Sequence, residues 1–525
     1  MKTTTFFRTL LLALLMAARS ISAMAQKTNY EPYDFREVNA DGDTLYYRIT
    51  SDSEPYTVAV TRCHDSIYHT LPFPFYEWEI GHPGFVYPVY DYDSLINIPP
   101  TVTHEGITYT VTAIDNEAFY YQRGMSIVNL PPTIVTIDSG AFYLSSLTEI
   151  TLQEGLQRIN YLAFHHTQIR EICFPRSLSY IGQYAFEGTY LSNLSIPPMV
   201  DTLRWGTFQG CPIEHITFHE GLVVIEDKAF SGEYIDSLIF PSTLQYMGSI
   251  QKYPGSYQNL VENRCKYIEF RNGQEPLFLG DHCLEGCTHL EKLVFSDNIV
   301  SFGIGCFSYS NVDTMLIPQN ISKIPMYCFS PCDSLRKIVL PSFLDTIEAC
   351  AFSGCPLLKT IVFPQELKYI GTSAFFNYGD SMGIEELCAL SETPPILWGM
   401  PNTVFPKTWP IICTIPCGTL LAYQNSRWGT EYSNITFVED CEAVADYFIG
   451  NIKIYPNPAD NIIHIEGLAN EKNLIYVYDM FGKMVAFVNA CNNVTDINIA
   501  HLPEGYYILK ITGINENYGV KICKK

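Results

Sequence analysis

Eleven times in this 525-residue chain an apolar residue is followed five positions later by an aromatic residue or a leucine, and the pairs recur every 22 or 23 residues apart from one gap of 54. The second member falls at Phe119, Phe142, Phe164, Phe186, Phe208, Phe230, Leu284, Phe307, Phe329, Phe352 and Phe375, and a small residue precedes most of them, as at Ala118, Ala141, Ala163, Ala185, Ala229, Cys306 and Ala374. A fixed period of this length means that each unit is one supersecondary turn that cannot bury its own apolar face, so a core forms only when neighbours stack. The expected fold is a repeat solenoid of about twelve units, with one degenerate unit and an insertion around Gln251 to Asn263 filling the long gap.

Within one unit the segment Leu147 to Leu152 alternates like a short strand, Ile150 and Leu152 facing one way and Thr151 the other. The same frame returns at Ile169/Ile172/Phe174, Leu191/Leu194/Ile196, Leu335/Ile338/Leu340 and Leu358/Ile361/Phe363, and Pro175, Pro197, Pro241, Pro318, Pro341 and Pro364 close these strands. A residue without an N–H ends a ladder, so the strands are predicted to be short, parallel and stopped at one height.

These phrases, with Thr110-Val-Thr-Ala-Ile114 at the start, Phe352-Ser-Gly-Cys355-Pro-Leu-Leu-Lys-Thr-Ile361 within and Thr414-Ile-Pro-Cys-Gly-Thr-Leu-Leu-Ala-Tyr423 towards Trp428 at the close, resemble the BspA-like leucine-rich repeat family of bacterial surface proteins. The resemblance implies an adhesion or interaction protein rather than an enzyme, although a fold does not fix a function.

Lys2 and Arg8 precede an apolar run from Leu10 to Ala18 that is too short to cross a bilayer, and Ala23-Met24-Ala25 supplies small residues for signal cleavage between Ala25 and Gln26. No later run is long and apolar enough for a span, so no transmembrane segment is expected in the mature chain. From Ile452 onward the repeat gives way to alternating stretches at Ile462 to Ile465, Leu474 to Tyr478, Met484 to Val488, Tyr506 to Ile511 and Val520 to Cys523, which predict a small β-sandwich. Here Tyr455-Pro456-Asn457-Pro458, Asp479-Met-Phe-Gly482-Lys483, Leu502-Pro-Glu-Gly505-Tyr506-Tyr507 and the basic end Lys521, Lys524, Lys525 resemble the C-terminal sorting domain of the type IX secretion system of Bacteroidota. That resemblance implies export across the outer membrane by the type IX machinery, removal of the domain, and a mature chain at the cell surface or released. The expected domains are a signal peptide (1–25), an N-terminal β cap (26–106), the repeat solenoid (107–440), a linker (441–451) and the sorting domain (452–525).

Charge follows this partition. The leader carries three basic and no acidic groups and the last 74 residues balance seven lysines against seven carboxylates, so the whole formal charge of −23, and three more, sits on residues 26–451. Such an acidic region opposes nucleic acid as a partner and favours solubility.

Seventeen cysteines in an exported chain raise the question of disulfides. Cys211, Cys287, Cys332 and Cys355 lie three residues after the periodic aromatic or leucine, and Cys283, Cys306 and Cys328 one before it, which is the register of small residues in a packed column; free buried thiols are expected there. Cys413 and Cys417 stand outside the columns and are the candidate local disulfide. No second knuckle at zinc spacing accompanies the cysteine pairs, so no metal is expected.

No His-Glu-x-x-His, Gly-x-Ser-x-Gly or phosphate-cradling glycine loop occurs, so neither catalytic residues nor a cofactor are assigned. His165-His166 reads as a solvated turn pair. Asn39-Ala-Asp41-Gly42-Asp43 imitates a calcium loop, but Asp-Gly between two alternating runs is a hairpin signal.

Two features suggest surface function. The outward residue of each strand runs Asn129, Thr151, Cys173, Ser195, Thr217 and then Ile239, Glu269, Val294, Leu316, Val339, Val362, so the sheet face turns from polar to apolar; Ile239, Val294, Leu316, Val339 and Val362 form the candidate interaction face, rimmed by Asp313, Arg336, Lys337 and Lys359. Second, Asp-(Ser/Thr)-aliphatic or Met triplets resemble the O-glycosylation acceptor of Bacteroidota and offer Thr44, Ser66, Ser94, Thr202, Ser237, Thr314, Ser334, Thr346 and Ser381. Turn chemistry before a strand accounts equally for six of them. The sequence thus points to a secreted or surface-bound adhesin or interaction module for a host, matrix or community protein or glycan. The competing class is a surface enzyme or glycan-capture component scaffolded by the repeats.

Overall fold

The computed structural model describes residues 33–62, 92, 94–230, 235–248, 264–377, 383–400, 403–440, 447–449, 452–456, 459–468, 473–479, 484–490, 492–503, 505–512 and 517–524. The chain divides after Leu191 into two compact units.

In the first unit Phe35–Val38 and Thr44–Ser51 form an antiparallel hairpin around the Asn39 to Asp43 turn, with Val38 opposite Thr44. Thr57–Thr61 continues antiparallel on Thr44–Ser51 and runs parallel to Ile107–Ile114. Ile107–Ile114 then starts a parallel ladder through Thr136–Ile137, Arg158–Ile159 and Tyr180–Ile181. The N-terminal strands therefore extend the repeat sheet itself, which is how a terminal unit shields an otherwise open core. Asp115, nearly buried, fixes the junction by taking Arg48 Nη2 at 2.5 Å and the Thr61 hydroxyl at 3.0 Å. A second sheet stacks Leu95–Asn97, Ile127–Asn129 and Glu149–Thr151 in parallel. The frame at Ile169 to Phe174 keeps its alternation of side chains but forms no strand.

The second unit repeats this plan. One face carries Thr202–Leu203, Val224–Glu226, Tyr246–Gly248, Leu277–Leu279 and Ile299–Ser301, then Lys323–Ile324, Thr346–Ile347, Tyr369–Ile370 and Ile396–Leu397. With the four rungs of the first unit these make thirteen turns among the described residues, one more than the sequence period suggests, because the last turn breaks the 22-residue spacing. The other face carries the strands described with the candidate site below.

What fills each turn is the aromatic column. Phe119, Phe142, Phe164 and Phe186 stack with centroids 5.2, 5.2 and 5.0 Å apart. In the second unit Phe307, Phe329, Phe352, Phe375 and Phe405 stack at 5.3 to 5.6 Å with rings within 8° of parallel. The column is bonded as well as packed: Phe142 N–H donates to the Ala163 carbonyl at 2.8 Å and Phe352 N–H to Ala374 at 2.8 Å. The small residue before each aromatic is needed because its carbonyl must sit within hydrogen-bond reach of the adjoining turn. Each fully buried Phe contributes roughly 1.5–3 kcal/mol by transfer alone.

Left-handed residues bend the turns at two recurrent positions, and eight turns use both among the described residues. They lie one before the small residue (Glu117, Gly140, Leu162, Tyr184; then Gly206, Lys228, His282, Gly305, Tyr327, Cys350, Ser373) and two after the aromatic (Tyr121, Leu144, His166, Gly188; then Gly210, Gly286, Tyr309, Gly354), all with φ between 54° and 74°.

The repeats end in two short helices, α1 (Leu420–Asn425) and α2 (Arg427–Glu431), which the sequence reading did not foresee. Ser426 caps α2 by accepting from the Trp428 N–H at 3.1 Å. Beyond them the C-terminal domain packs two four-stranded antiparallel sheets, Tyr447–Ile449, Ile452–Tyr455, Ile462–Glu466, Val494–Asn498 and Met484–Ala490, Asn473–Asp479, Gly505–Thr512, Asn517–Lys524. Their shared core includes Ile454, Ile463, Ile465, Ile475, Val477, Leu509 and Ile511, as a β-sandwich requires.

Candidate interaction face

The outward face of the second unit is built by strands that alternate buried and solvent-facing side chains. Ser237–Phe240, Tyr267–Phe270 and Lys292–Val294 pair in parallel with Ile239, Glu269 and Val294 in one register. Thr314–Leu316 pairs with Lys337–Val339, setting Leu316 beside Val339. Thr360–Phe363, Glu386–Ala389, Ile411–Pro416 and Ile435–Asp440 complete the face, with Val362, Cys388, Thr414 and Val438 in line. Pro241, Pro318, Pro341 and Pro364 follow four of these strands and end their ladders, so the outward column stays a narrow stripe there.

Ile239 and Leu316 are 41% exposed and Val362 53%, whereas Val294 and Val339 are only half-exposed. The stripe is interrupted by Glu269, which accepts the Tyr267 hydroxyl. Beyond the last regular repeat Val438, 47% exposed, continues the column, and Ile412, 49% exposed, stands beside it in register with Glu386 and Thr436. Sequence periodicity missed these because the units they belong to depart from the repeat spacing. Ion pairs rim the face: Arg336 reaches Asp313 at 3.1 Å and Lys359 reaches Glu385 at 2.9 Å. A cavity of about 300 Å³ opens beside the stripe, lined by Leu290, Glu291, Lys292, Leu293, Val312, Asp313 and Thr314.

The corresponding face of the first unit is polar. Asn97, Asn129 and Thr151 share one register, Asn129 Nδ2 donates to Asn97 Oδ1 at 2.7 Å, and Asn97 Nδ2 donates to Asp41 Oδ2 at 2.7 Å. Asn39 Oδ1 accepts the backbone N–H of Asp41 and Asp43. The loop that imitates a calcium site is thus organised as a hairpin turn by its own Asn39. Cys173 is exposed, and the polar character continues into the first strands of the second unit, where the Ser195 hydroxyl lies 2.9 Å from His219 Nε2.

The glycosylation candidates separate by exposure. Ser94, Ser237 and Thr314 are exposed, Thr44, Thr202, Ser334 and Thr346 are half-buried, and Ser66 and Ser381 lie outside the described residues. The third residue of six triplets is core, namely Leu45, Leu203, Leu238, Met315, Leu335 and Ile347. At Asp201, Asp236, Asp313 and Asp345 the backbone carbonyl accepts two N–H groups from the following turn, so the triplet coincides with a position the repeat needs for packing.

Two expectations are corrected. His165 is buried rather than solvated, stacked on Tyr143 at 4.7 Å with Nδ1 3.2 Å from Glu187. Cys413 does not pair with Cys417: Cys413 is a free, buried thiol, while Cys417 is disulfide-bonded. The columnar cysteines Cys211, Cys283, Cys287, Cys306, Cys328, Cys332 and Cys355 are buried free thiols. Burial pushes the Cys265 thiol up to about 11 and that of Cys413 to about 12. Burial likewise raises the Asp138 and Glu226 carboxyls, but each is spent on structure, Asp138 accepting from Asn160 Nδ2 and Glu226 from the Trp205 N–H. Among the described residues no three His, Cys, Asp or Glu side chains are placed to hold a metal. No described helix is long and apolar enough to cross a membrane.

In the C-terminal domain Pro456 follows the strand Ile452–Tyr455, Gly505 opens the strand Gly505–Thr512, and Tyr506 is its second residue. Asn457, Pro458, Gly482 and Lys483, like Ala25 and Gln26, lie outside the described residues.

Residues 101–211 and 258–380 match, in six copies, the family described as BspA type Leucine rich repeat region. Residues 453–525 match the Secretion system C-terminal sorting domain. No curated protein matches the chain. Among solved structures it is similar to a leucine-rich repeat protein from Bacteroides ovatus ATCC 8483, at 21% identity and a TM-score of 0.48, over 78% of this chain and 100% of that one. It is also similar to a leucine rich cell surface protein from Faecalibacterium prausnitzii A2-165 (17% identity, TM-score 0.33, 79% and 97% covered) and to the pneumococcal vaccine antigen PcpA (16% identity, TM-score 0.37, 78% and 98% covered).

Proposed function

The chain carries a BspA-type leucine-rich repeat region and a type IX C-terminal sorting domain and is a secreted or cell-surface protein, and from that premise we propose that it is a non-enzymatic adhesin or interaction module that binds a protein partner through the outward sheet face of its second unit. The observation that carries this reading is the exposed stripe of Ile239, Leu316, Val362 and Val438 on a sheet whose strands elsewhere face solvent with polar residues. A line of aliphatic side chains bordered by ion pairs suits another protein, with an apolar centre and a polar rim; a glycan would favour stacked aromatic platforms and hydroxyl-bonding groups. The acidic mature region argues against nucleic acid. O-glycosylation belongs to the same reading, with Ser94, Ser237 and Thr314 as the accessible acceptors.

The test is binding of the exported protein to arrayed matrix and cell-surface proteins, beside a variant carrying Ile239→Thr, Leu316→Thr and Val362→Thr. Saturable binding lost in the variant with an unchanged unfolding midpoint supports the face. Binding that survives moves the function elsewhere, and an array bound only at glycan spots overturns the protein-partner reading. An intact mass equal to the bare polypeptide removes the glycosylation.

A further inference from the structure

Two of the buried thiols do more than fill a column. Cys283 Sγ and Cys306 Sγ lie 3.4 Å apart, both residues are wholly buried, and they occupy the same position of consecutive turns 23 residues apart. Hydrogen bonds hold the two turns in register on either side of the pair, His282 N–H to the Ile304 carbonyl at 2.8 Å and Leu284 N–H to the Cys306 carbonyl at 3.0 Å. Both cysteines lie in turn segments, and these bonds on either side keep the two turns at direct backbone hydrogen-bonding distance, a spacing compatible with the Cα separation of about 4.4–6.8 Å that a disulfide spans. A second vertical pair, Cys332 and Cys355, is also in side-chain contact, and its thiols reach the Phe307 and Phe329 carbonyls at 3.2 and 3.0 Å as well.

A second observation concerns the compartment. Cys417 is already in a disulfide, and the chain carries a secretion-system sorting domain, so the protein folds where thiols are oxidised. We propose that in the exported protein Cys283 and Cys306 are joined as a disulfide that clamps two consecutive repeat turns. The oxidant is the disulfide of an export-compartment thiol oxidoreductase. Each cysteine sulfur loses its proton and one electron, an S–S bond forms between them, and the oxidant's own S–S bond is cleaved to a dithiol that takes up both protons and both electrons. Because the folded thiols are sealed from solvent, the reaction occurs as the second turn docks on the first, and the finished bond resists reduction until the array opens.

The experiment uses the full chain exported to an oxidising periplasm, acid-quenched and unfolded in N-ethylmaleimide, then mapped without reduction. The expected result is a cross-linked peptide joining Cys283 to Cys306, with neither residue labelled. Label on both Cys283 and Cys306, or a cross-link from Cys306 to Cys328, overturns the proposal. A Cys306→Ser variant separates the bond from packing. Its unfolding midpoint is expected below that of the parent without reductant and equal to it with reductant. A gap of the same size under both conditions assigns the effect to packing and overturns the clamp.

Discussion

The indole Nε1 of Trp428 donates to the carbonyl of Pro395 at 2.7 Å, and this bond closes the open end of the repeat array. The strand Ile396–Leu397 is the last rung of its sheet, so its outer carbonyls have no following turn. Helix α2 supplies what a further repeat would: Arg427 donates to the carbonyls of Leu397 and Gly399 while Glu431 holds its guanidinium. Trp428 also fills the end of the core, wholly buried, with its ring 5.0 Å from that of Phe405.

Trp428→Ala is therefore expected to destabilise the repeat array by about 3–5 kcal/mol, through a cavity and an orphaned carbonyl. Trp428→Phe keeps most of the volume and loses the bond, for about 1–3 kcal/mol. Urea unfolding followed by tryptophan-independent circular dichroism, with hydrogen exchange at Ile396 and Leu397, reads both; a Phe variant as stable as the parent would show that the hydrogen bond is irrelevant.

Phe352 lies between Phe329 and Phe375 at 5.3 and 5.4 Å. Phe352→Ala is expected to cost about 3–5 kcal/mol. Phe352→Leu should cost under about 1.5 kcal/mol, because Leu284 already occupies this column elsewhere. Denaturant midpoints of the two variants decide it, and an Ala variant no worse than Leu would remove the column's role.

The left-handed positions give a paired prediction. A methyl group at Gly140, φ +62°, meets ordinary contacts at 3.5 Å, so Gly140→Ala pays only the conformational cost of about 1–2 kcal/mol. Ser373 sits at φ 56° with a side chain already strained, and Ser373→Gly is expected to be neutral or stabilising by up to about 1 kcal/mol. Gly371→Ala should be the worst, since its Cβ would stand 2.4 Å from the Ala349 nitrogen. Thermal midpoints must follow that order.

Thiol accessibility gives a pH prediction. Cys173 is exposed and should alkylate in the native protein, whereas Cys265 and Cys413 should label only on unfolding. Their folded thiols titrate near 11 and 12, raised by burial from the ordinary 9.0. Above pH 9 the unfolded chain therefore releases protons that the folded one retains, so their contribution is fully present below pH 9 and is lost as pH rises towards 11 to 12. Unfolding midpoints from pH 7 to 11 should fall above 9, and less steeply in a Cys265→Ala, Cys413→Ala variant.

Much of this was legible in the chain. The 22-residue spacing, the Ala-Phe pairs and the prolines specify stacked turns with an aromatic column and short parallel strands, because every unit presents the same incomplete core and only its neighbour can complete it. The hairpin around Asn39 to Asp43 and the strand at Thr57–Thr61 follow from local turn chemistry and alternation.

Other features carried no such signal. The left-handed positions are filled by Glu117, Leu162, Lys228, His282 and Cys350 as readily as by glycine, because bonds to the adjoining turn over-determine the backbone there and residue type need not announce it. His165 reads as a solvated turn residue until Tyr143 of the previous turn stacks on it. Cys413 and Cys417 look paired by spacing, yet Cys413 points into the core.

The period and its apolar positions determined by themselves that this chain is a solenoid and which side chains face its core, since those follow from one unit's pattern repeated. Which outward residues stay exposed, which thiols touch and how Trp428 and Arg427 seal the last turn were decided only in the tertiary structure. Exposure, contact and hydrogen bonding to an orphaned carbonyl are properties of neighbouring turns, set by stacking across 23 to 33 residues of chain that no local pattern encodes.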